Sequence, residues 1–400
     1  MLRSRMLTAA AAVLAASLVL VGCGSSDSSD SSDSSSTDTS SDSATTSPED
    51  LDWAKSVVTE LFAGTDRALP TDGPKAVPGK TVWALACSTT APGCDLPAES
   101  FVEAAAHLGW TTKLVDGKLD PSVYNTQIRA AAAAGADAIA LFAVDCPSVE
   151  GAVKAVQAQG TKVFGVNSLD CDDKYSSGGK PLFDATMVWG ADNQSYADYV
   201  DSQVGPSVAA WVIDKTEGKA NIIQLRQDDS AGTHHIGESE YDTLKSKCGG
   251  CTVNVVDYTG ADLTSGGVQS KLSAALQRYP DADVVMVPVD AAIALGAGAA
   301  VQQARATGRD ILLVGQEGVP SSIQLIKQGQ QDFALGRPWP WVGWAAADAL
   351  NRYFAGAKPV DAGFGFGSMD ADHPPASDVY DGNPQSSGYQ ANYLKIWGVS

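Results

Sequence analysis

From residue 80 onward, short apolar runs rich in Val, Ile and Ala alternate with longer amphipathic segments. That alternation limits the fold more than any other feature of the chain. The expected strands are 81–86, 111–115, 138–142, 162–166 and 186–189, then 220–225, 252–256, 284–287, 311–314 and 333–335. The helical periods between them are 99–108, 122–134, 148–159, 195–215, 238–247, 268–279, 291–306, 321–328 and 344–354. Gly109, Gly135, Gly160, Gly308 and Gly329 stand where helices should stop. Strand–helix alternation builds parallel sheets covered by helices on both faces, and ten strands divide into two sheets of about five more readily than they fill one. The expected class is therefore α/β, with two doubly wound parallel-sheet lobes.

In such sheets ligands sit beyond the C-terminal ends of the strands. The residues just after each strand are Cys87-Ser88-Thr89, Asp145-Cys146, Asn167-Ser168, Asp192-Asn193, Arg226-Gln227, Tyr258, Asp290, Gln316-Glu317 and Arg337, nearly all of them polar.

The first fifty residues are of another kind. Arg3 and Arg5 precede an apolar run from Met6 to Val21, which ends in Leu20-Val21-Gly22-Cys23. This looks like a bacterial lipobox, in which Cys23 takes the lipid and the chain is held by acyl groups. In residues 24–50, Ser and Thr fill 17 of 27 positions and Asp and Glu fill 7. Such a stretch buries too little apolar surface to offset its ordering entropy, and it reads as a disordered tether.

Six cysteines remain: Cys87, Cys94, Cys146, Cys171, Cys248 and Cys251. An even number outside the cytosol implies disulfides. Local pairing gives Cys87–Cys94, Cys146–Cys171 and Cys248–Cys251, although six cysteines allow about fifteen connectivities. Cys248-Gly-Gly-Cys251 also has the spacing of a redox motif or half a zinc site, but no second such pair accompanies it.

Charge removes another class. Lys and Arg number 27 against 47 Asp and Glu, a net of −20, which argues against a nucleic-acid surface. No Gly-x-Ser-x-Gly elbow, phosphate-binding loop or His pair at metal-ligand spacing is present. The adjacent His234 and His235 point apart on any regular element, which leaves them as ligand contacts or loop residues. Neither a catalytic residue nor a cofactor or metal is expected.

Three segments resemble a known family. Asp192-Asn193 leads into the helical stretch 195–215. The run Val284 to Asp290 is followed by Ala294-Leu295-Gly296. Gly315-Gln316-Glu317-Gly318 is followed by Ile326-Lys327-Gln328-Gly329. Their order and spacing are similar to type I periplasmic binding proteins of the ribose- and galactose-binding branch, which serve ABC importers, over roughly residues 78–355. The resemblance implies a first lobe of residues 78–192 and 337–375 and a second of 193–336 and 385–400, after a signal peptide (1–22) and the tether (23–50). It implies hinges near Asp192-Asn193, near Gly336-Arg337 and after residue 355. It also implies a monomeric, extracytoplasmic receptor that holds a small polar ligand, a monosaccharide or polyol, and hands it to a membrane permease. A signalling sensor, or a receptor for a nucleoside or aromatic acid, would share this form. The chain departs from the family at Glu317 (usually Asp), Val289 (usually Asn), and Asn167-Ser168, where sugar binders often carry Asp-Arg.

The expected ligand contacts are Ser88, Thr89, Asn167, Trp189, Arg337 and Trp339 on or beside the first lobe's face, with His235, Asp290 and Glu317 on the second. Trp189, Trp339 and Trp341 either stack on sugar C–H faces or pack between the lobes.

Overall fold

The computed structural model describes residues 45–175, 178–375, 377–383 and 388–399. The signal-peptide, Cys23 and most of the tether expectations lie outside the described residues. In chain order the elements begin α1 (Pro48–Ala63), β1 (Thr81–Ala86), α2 (Pro92–His107), β2 (Thr111–Asp116), α3 (Pro121–Ala133), β3 (Ala138–Phe142), α4 (Cys146–Gln157), β4 (Lys162–Gly165) and β5 (Ala185–Thr186). There follow α5 (Tyr196–Tyr199), α6 (Gly205–Lys215), β6 (Asn221–Gln227), α7 (Ala231–Lys247), β7 (Thr252–Tyr258), α8 (Gly260–Ser265), α9 (Gly267–Arg278) and β8 (Val284–Met286). The chain continues with α10 (Asp290–Ala292), α11 (Gly298–Ala306), β9 (Leu312–Gly315), α12 (Pro320–Lys327), β10 (Phe333–Gly336), α13 (Trp339–Phe354), β11 (Gly367–Met369) and α14 (Tyr389–Trp397). π-helical turns at Val200–Val204 and Ile293–Ala297 join α5 to α6 and α10 to α11.

The strands form two sheets, ordered β2-β1-β3-β4-β5 and β11-β10-β9-β8-β6-β7. All pairings are parallel except β10 with β11. The central strands are apolar on both faces because helices cover both. β3, Ala-Ile-Ala-Leu-Phe, is buried along its whole length. Helix starts follow local chemistry. Pro occupies the first turn of α2, α3, α4 and α12, where its missing N–H costs nothing. Ser230 caps α7 by accepting from Thr233 N. Helices α2 and α13 approach so closely at Gly343 that an added Cβ would lie 2.3 Å from Pro97 O. Only glycine fits this crossing.

The three local disulfides form as expected, with Cα separations of 5.6 Å for Cys87–Cys94, 5.1 Å for Cys146–Cys171 and 5.3 Å for Cys248–Cys251.

Several boundaries differ from expectation. Residues 48–50 belong not to the tether but to α1, whose start is capped by Ser47. α1 packs on α6 of the second lobe, and Lys247 Nζ lies 3.0 Å from Asp50 Oδ1. Residues 367–369, expected in the first lobe, form the edge strand of the second sheet. α14, expected in the second lobe, packs on α13 of the first: Trp397 Nε1 donates to Asp348 Oδ1 at 2.8 Å, and the Trp341 and Tyr389 rings stack at 5.2 Å. These segments lie outside the strand–helix repeat, so its periodicity carries no information about them.

Among the described residues, the chain therefore passes between the lobes at 64–80, 187–195, 337–338 and 355–366, and β11 of the second lobe is followed by α14 on the first. The first and fourth run together, with Arg67 paired to Asp361 at 2.7 Å and Thr65 N donating to Phe366 O at 3.0 Å.

Candidate functional site

The C-terminal strand ends of the two sheets face each other across a cavity of about 170 Å³. The first lobe supplies the Cys87–Cys94 disulfide, Gly93 at the start of α2, Leu119 after β2, Tyr124, Asp145 and Asn167. The second supplies Gln227 and Asp229 after β6, the start of α7, Val289 and Glu317, with Tyr196 and Arg337 from the crossings and Trp339 at the start of α13.

The lobes touch directly in this state. Asp145 Oδ2 accepts from Gly232 N at 2.8 Å and Ser230 Oγ at 3.5 Å across the cleft, while its Oδ1 accepts from Leu169 N at 2.9 Å. A carboxylate at the start of α7 also meets the positive end of that helix dipole. Beside this contact, His235 is buried between Asp201 (Nε2 to Oδ1, 2.8 Å) and Asp173 of the first lobe (Nδ1 to Oδ2, 3.5 Å).

Arg337 organises the deep end. It is 4% exposed and donates to Tyr196 Oη at 3.2 Å and to Gln316 Oε1. Gln316 Nε2 in turn donates to Glu240 Oε1 at 3.0 Å. Glu317 and Asp290 complete the cluster, with Glu317 Oε2 accepting from Asp290 N at 2.8 Å. Two buried carboxyls, Glu240 and Glu317, thus share one buried cation. Burial pushes Glu317 up to about 7, the neighbouring Asp290 adds to the rise and Arg337 opposes it. Burial likewise pushes Glu240 up to about 7, against its hydrogen bond from Gln224. Asp290 and Asp145 are also raised by burial, despite the hydrogen bonds each accepts.

A raised folded-state pKa in a carboxyl means stability that is fully present below the unfolded value and is lost as pH rises through the folded one. The free protein is accordingly expected to unfold at progressively lower temperature as pH rises from about 4.5 through about 7. Thermal scans at fixed ionic strength check this, and a melting temperature that climbs over that interval would contradict it.

Four of the expected contacts line the cavity: Asn167, Glu317, Arg337 and Trp339. The other five do not. Ser88 Oγ bonds Thr90 Oγ1 at 3.0 Å, and Thr89 N donates to Asp116 Oδ1, so both shape the loop after β1. Trp189 is packed at the crossing against Tyr196 (4.8 Å) and Phe364 (5.3 Å), with its Nε1 donating to Val166 O. His235 Nε2 is bonded to Asp201 Oδ1, and its Nδ1, 3.5 Å from Asp173 Oδ2, has no hydrogen-bond partner among the described residues and does not reach this cavity. Asp290 is fully buried, accepting from Gln316 N at 3.1 Å and Val319 N at 3.4 Å, and it fixes the turn that carries Glu317.

Asn167 also has an internal task. Its Oδ1 accepts from Ala143 N at 3.0 Å, holding Ala143 at φ 53°, a strained value for a residue with a Cβ. Tyr196, Tyr124 and Leu119 were not expected at the site. Tyr196 could have been anticipated, since a residue one step beyond a crossing must lie near the cleft floor. Leu119 carries no such signal, because its place depends on a loop conformation.

The model of the periplasmic binding protein domain family matches residues 86–358. No curated protein matches the sequence. Among solved structures, the chain is similar to an ABC transporter solute-binding protein from Agrobacterium vitis bound with α-D-tagatopyranose (19% identity, TM-score 0.62, covering 75% of this chain and 98% of that one). A Mycobacterium smegmatis protein in complex with β-D-fucofuranose has 21% identity and a TM-score of 0.61, covering 79% and 98%. A solute-binding protein from Bacillus halodurans with bound myo-inositol has 16% identity and a TM-score of 0.59, covering 79% and 99%. With two parallel-sheet lobes, crossings between them and a cleft at the strand ends, the chain has the type I fold and belongs to the periplasmic binding protein domain family.

Proposed function

We propose that this chain is the extracytoplasmic receptor of an ABC importer and binds a sugar or polyol between its lobes. One observation carries the reading. Arg337 and Trp339 line the cleft, and their Nε and Nε1 are buried donors without partners among the described residues; of the Glu317 carboxylate, Oε2 accepts from Asp290 N, which leaves Oε1 for a ligand. Buried polar groups are normally satisfied, and a ligand hydroxyl both accepts and donates. The bound tagatose, fucose and inositol of the similar structures support that class. A thermal-shift screen of residues 45–400 against sugars and polyols tests it, since a ligand at about 100 times its Kd stabilises the native state by about 2.7 kcal/mol. No shift with any member would remove the sugar reading.

Anchoring through Cys23 is part of the same proposal. Cys23→Ser is expected to leave the protein unlipidated and released from the membrane fraction. A mutant that stays lipid-labelled and membrane-bound would exclude the lipobox.

A further inference from the structure

The cleft has two unlike ends. Its free hydrogen-bonding capacity lies at the deep end, at Glu317, Arg337 and Trp339. Toward the mouth the polar groups are already engaged: Asp145 by Gly232 and Leu169, Asp229 by Gly260 N at 3.0 Å and Gln227 Nε2 at 3.0 Å, and Tyr124 Oη by Cys87 O at 3.2 Å. Ser148, Ser230, Thr233 and Gln227 line the same stretch and are each bonded within the protein; beside them lies an apolar wall of Leu119 and the ring of Tyr124 from the first lobe and Ile236 and Leu263 from the second.

Leu119 is held there at a conformational cost. Lys118 and Leu119 are consecutive non-glycine residues at φ 57° and 54°, a region that costs L-residues free energy and persists only where the surroundings impose it. The imposing bonds are Lys118 N to Asp116 Oδ1 at 2.9 Å, Leu119 N to Cys87 O at 2.8 Å and Gly117 N to Ala86 O at 2.9 Å. The result is that Leu119, a first-lobe residue, packs across the cleft onto the second lobe's apolar cluster, which includes Leu263 and Tyr258.

Resting on the sugar reading, we propose that the natural ligand is not a bare sugar but a glycoside. Its sugar hydroxyls meet Glu317, Arg337 and Trp339, and its alkyl or aryl aglycone lies between Leu119, Tyr124, Ile236 and Leu263. A free sugar is hydroxylated all round, and the hydroxyls that face the apolar wall would lose water there without gaining partners, since the polar groups beside it are already bonded within the protein. An apolar aglycone there gains from burial instead.

The test is calorimetric titration of L-arabinose, D-fucose and D-galactose, each as the free sugar and as its phenyl α- and β-glycosides. The variant is Leu119→Asn, which removes the apolar side chain while tolerating the left-handed backbone. At least one phenyl glycoside should bind about tenfold or more tighter than its free sugar, and Leu119→Asn should abolish that difference. A free sugar that binds as tightly as both its glycosides overturns the glycoside proposal and leaves the sugar reading standing. A glycoside preference that survives in Leu119→Asn overturns the assigned aglycone site. If neither sugars nor glycosides bind, the sugar reading falls and this proposal with it.

Discussion

Replacing Arg337 with methionine is expected to destabilise the free protein by about 3–5 kcal/mol at pH 8, the range for removing one partner of a buried charge cluster. Arg337 is the cation that faces Glu240 and Glu317, both of them buried, and Asp290 lies buried beside Glu317. Its removal orphans Gln316 Oε1 and the Tyr196 hydroxyl, and it takes the positive charge from beside Glu240 and Glu317 in a low-dielectric interior. These partners lie on the second lobe or at its start, so the loss does not depend on whether the cleft is open. The cluster can also relax by taking up protons. Burial already pushes Glu240 and Glu317 up to about 7, and without Arg337 they should protonate more readily. The destabilisation should therefore shrink as pH falls toward 5. Unfolding curves at pH 5 and pH 8 check both the size and the trend. A loss below about 1 kcal/mol at pH 8, typical of an exposed pair, would deny Arg337 this role.

Glu317→Gln should act on binding in place of folding. The side chain keeps its shape, and Gln Oε1 can still accept from Asp290 N. The charge opposite the ligand is lost. Affinity for a ligand found in the screen should fall by about 1.5–3 kcal/mol, the range for a hydrogen bond to a charged group. The melting temperature of the free protein should not fall. At pH 8 it should rise slightly, because the ionised Glu317 beside Asp290 is unfavourable in the folded state, and the decline of stability with pH should flatten. Unaltered affinity with a lowered melting temperature would make Glu317 a structural residue and leave the deep end to Arg337 and Trp339.

The repeat of strand and helix made most of the architecture legible. Runs such as Thr81–Ala86 and Ala138–Phe142 reappear as strands with the same bounds, because a parallel strand buried on both faces must be continuously apolar. The local disulfides were legible for a similar reason, since short separations favour closure in a compartment that permits oxidation. What the pattern could not carry was anything outside the repeat. β11 is three residues, Gly-Ser-Met, too short for alternation to register. α1 begins within the Ser- and Asp-rich stretch that composition assigns to disorder. At the site, reading the residue after each strand located Asn167, Glu317 and Arg337. It could not tell them from Asp290, which follows a strand equally well but turns its carboxylate onto backbone N–H groups. Trp189 and His235 were drawn in by residue type, yet both are consumed by packing or pairing at the lobe junction. Leu119 depends on two left-handed backbone angles that no composition rule signals.

The central claim is that one small ligand is held by both lobes at once. Amide hydrogen exchange of the full body, with and without a saturating ligand from the screen, tests it most directly. The account predicts slower exchange in both strand-end rims together: residues 87–94 and 143–147 of the first lobe, and 229–236 and 315–318 of the second, while the outer helices α9 and α11 remain unchanged. Protection confined to one lobe, or absent from both rims under saturating ligand, would contradict it.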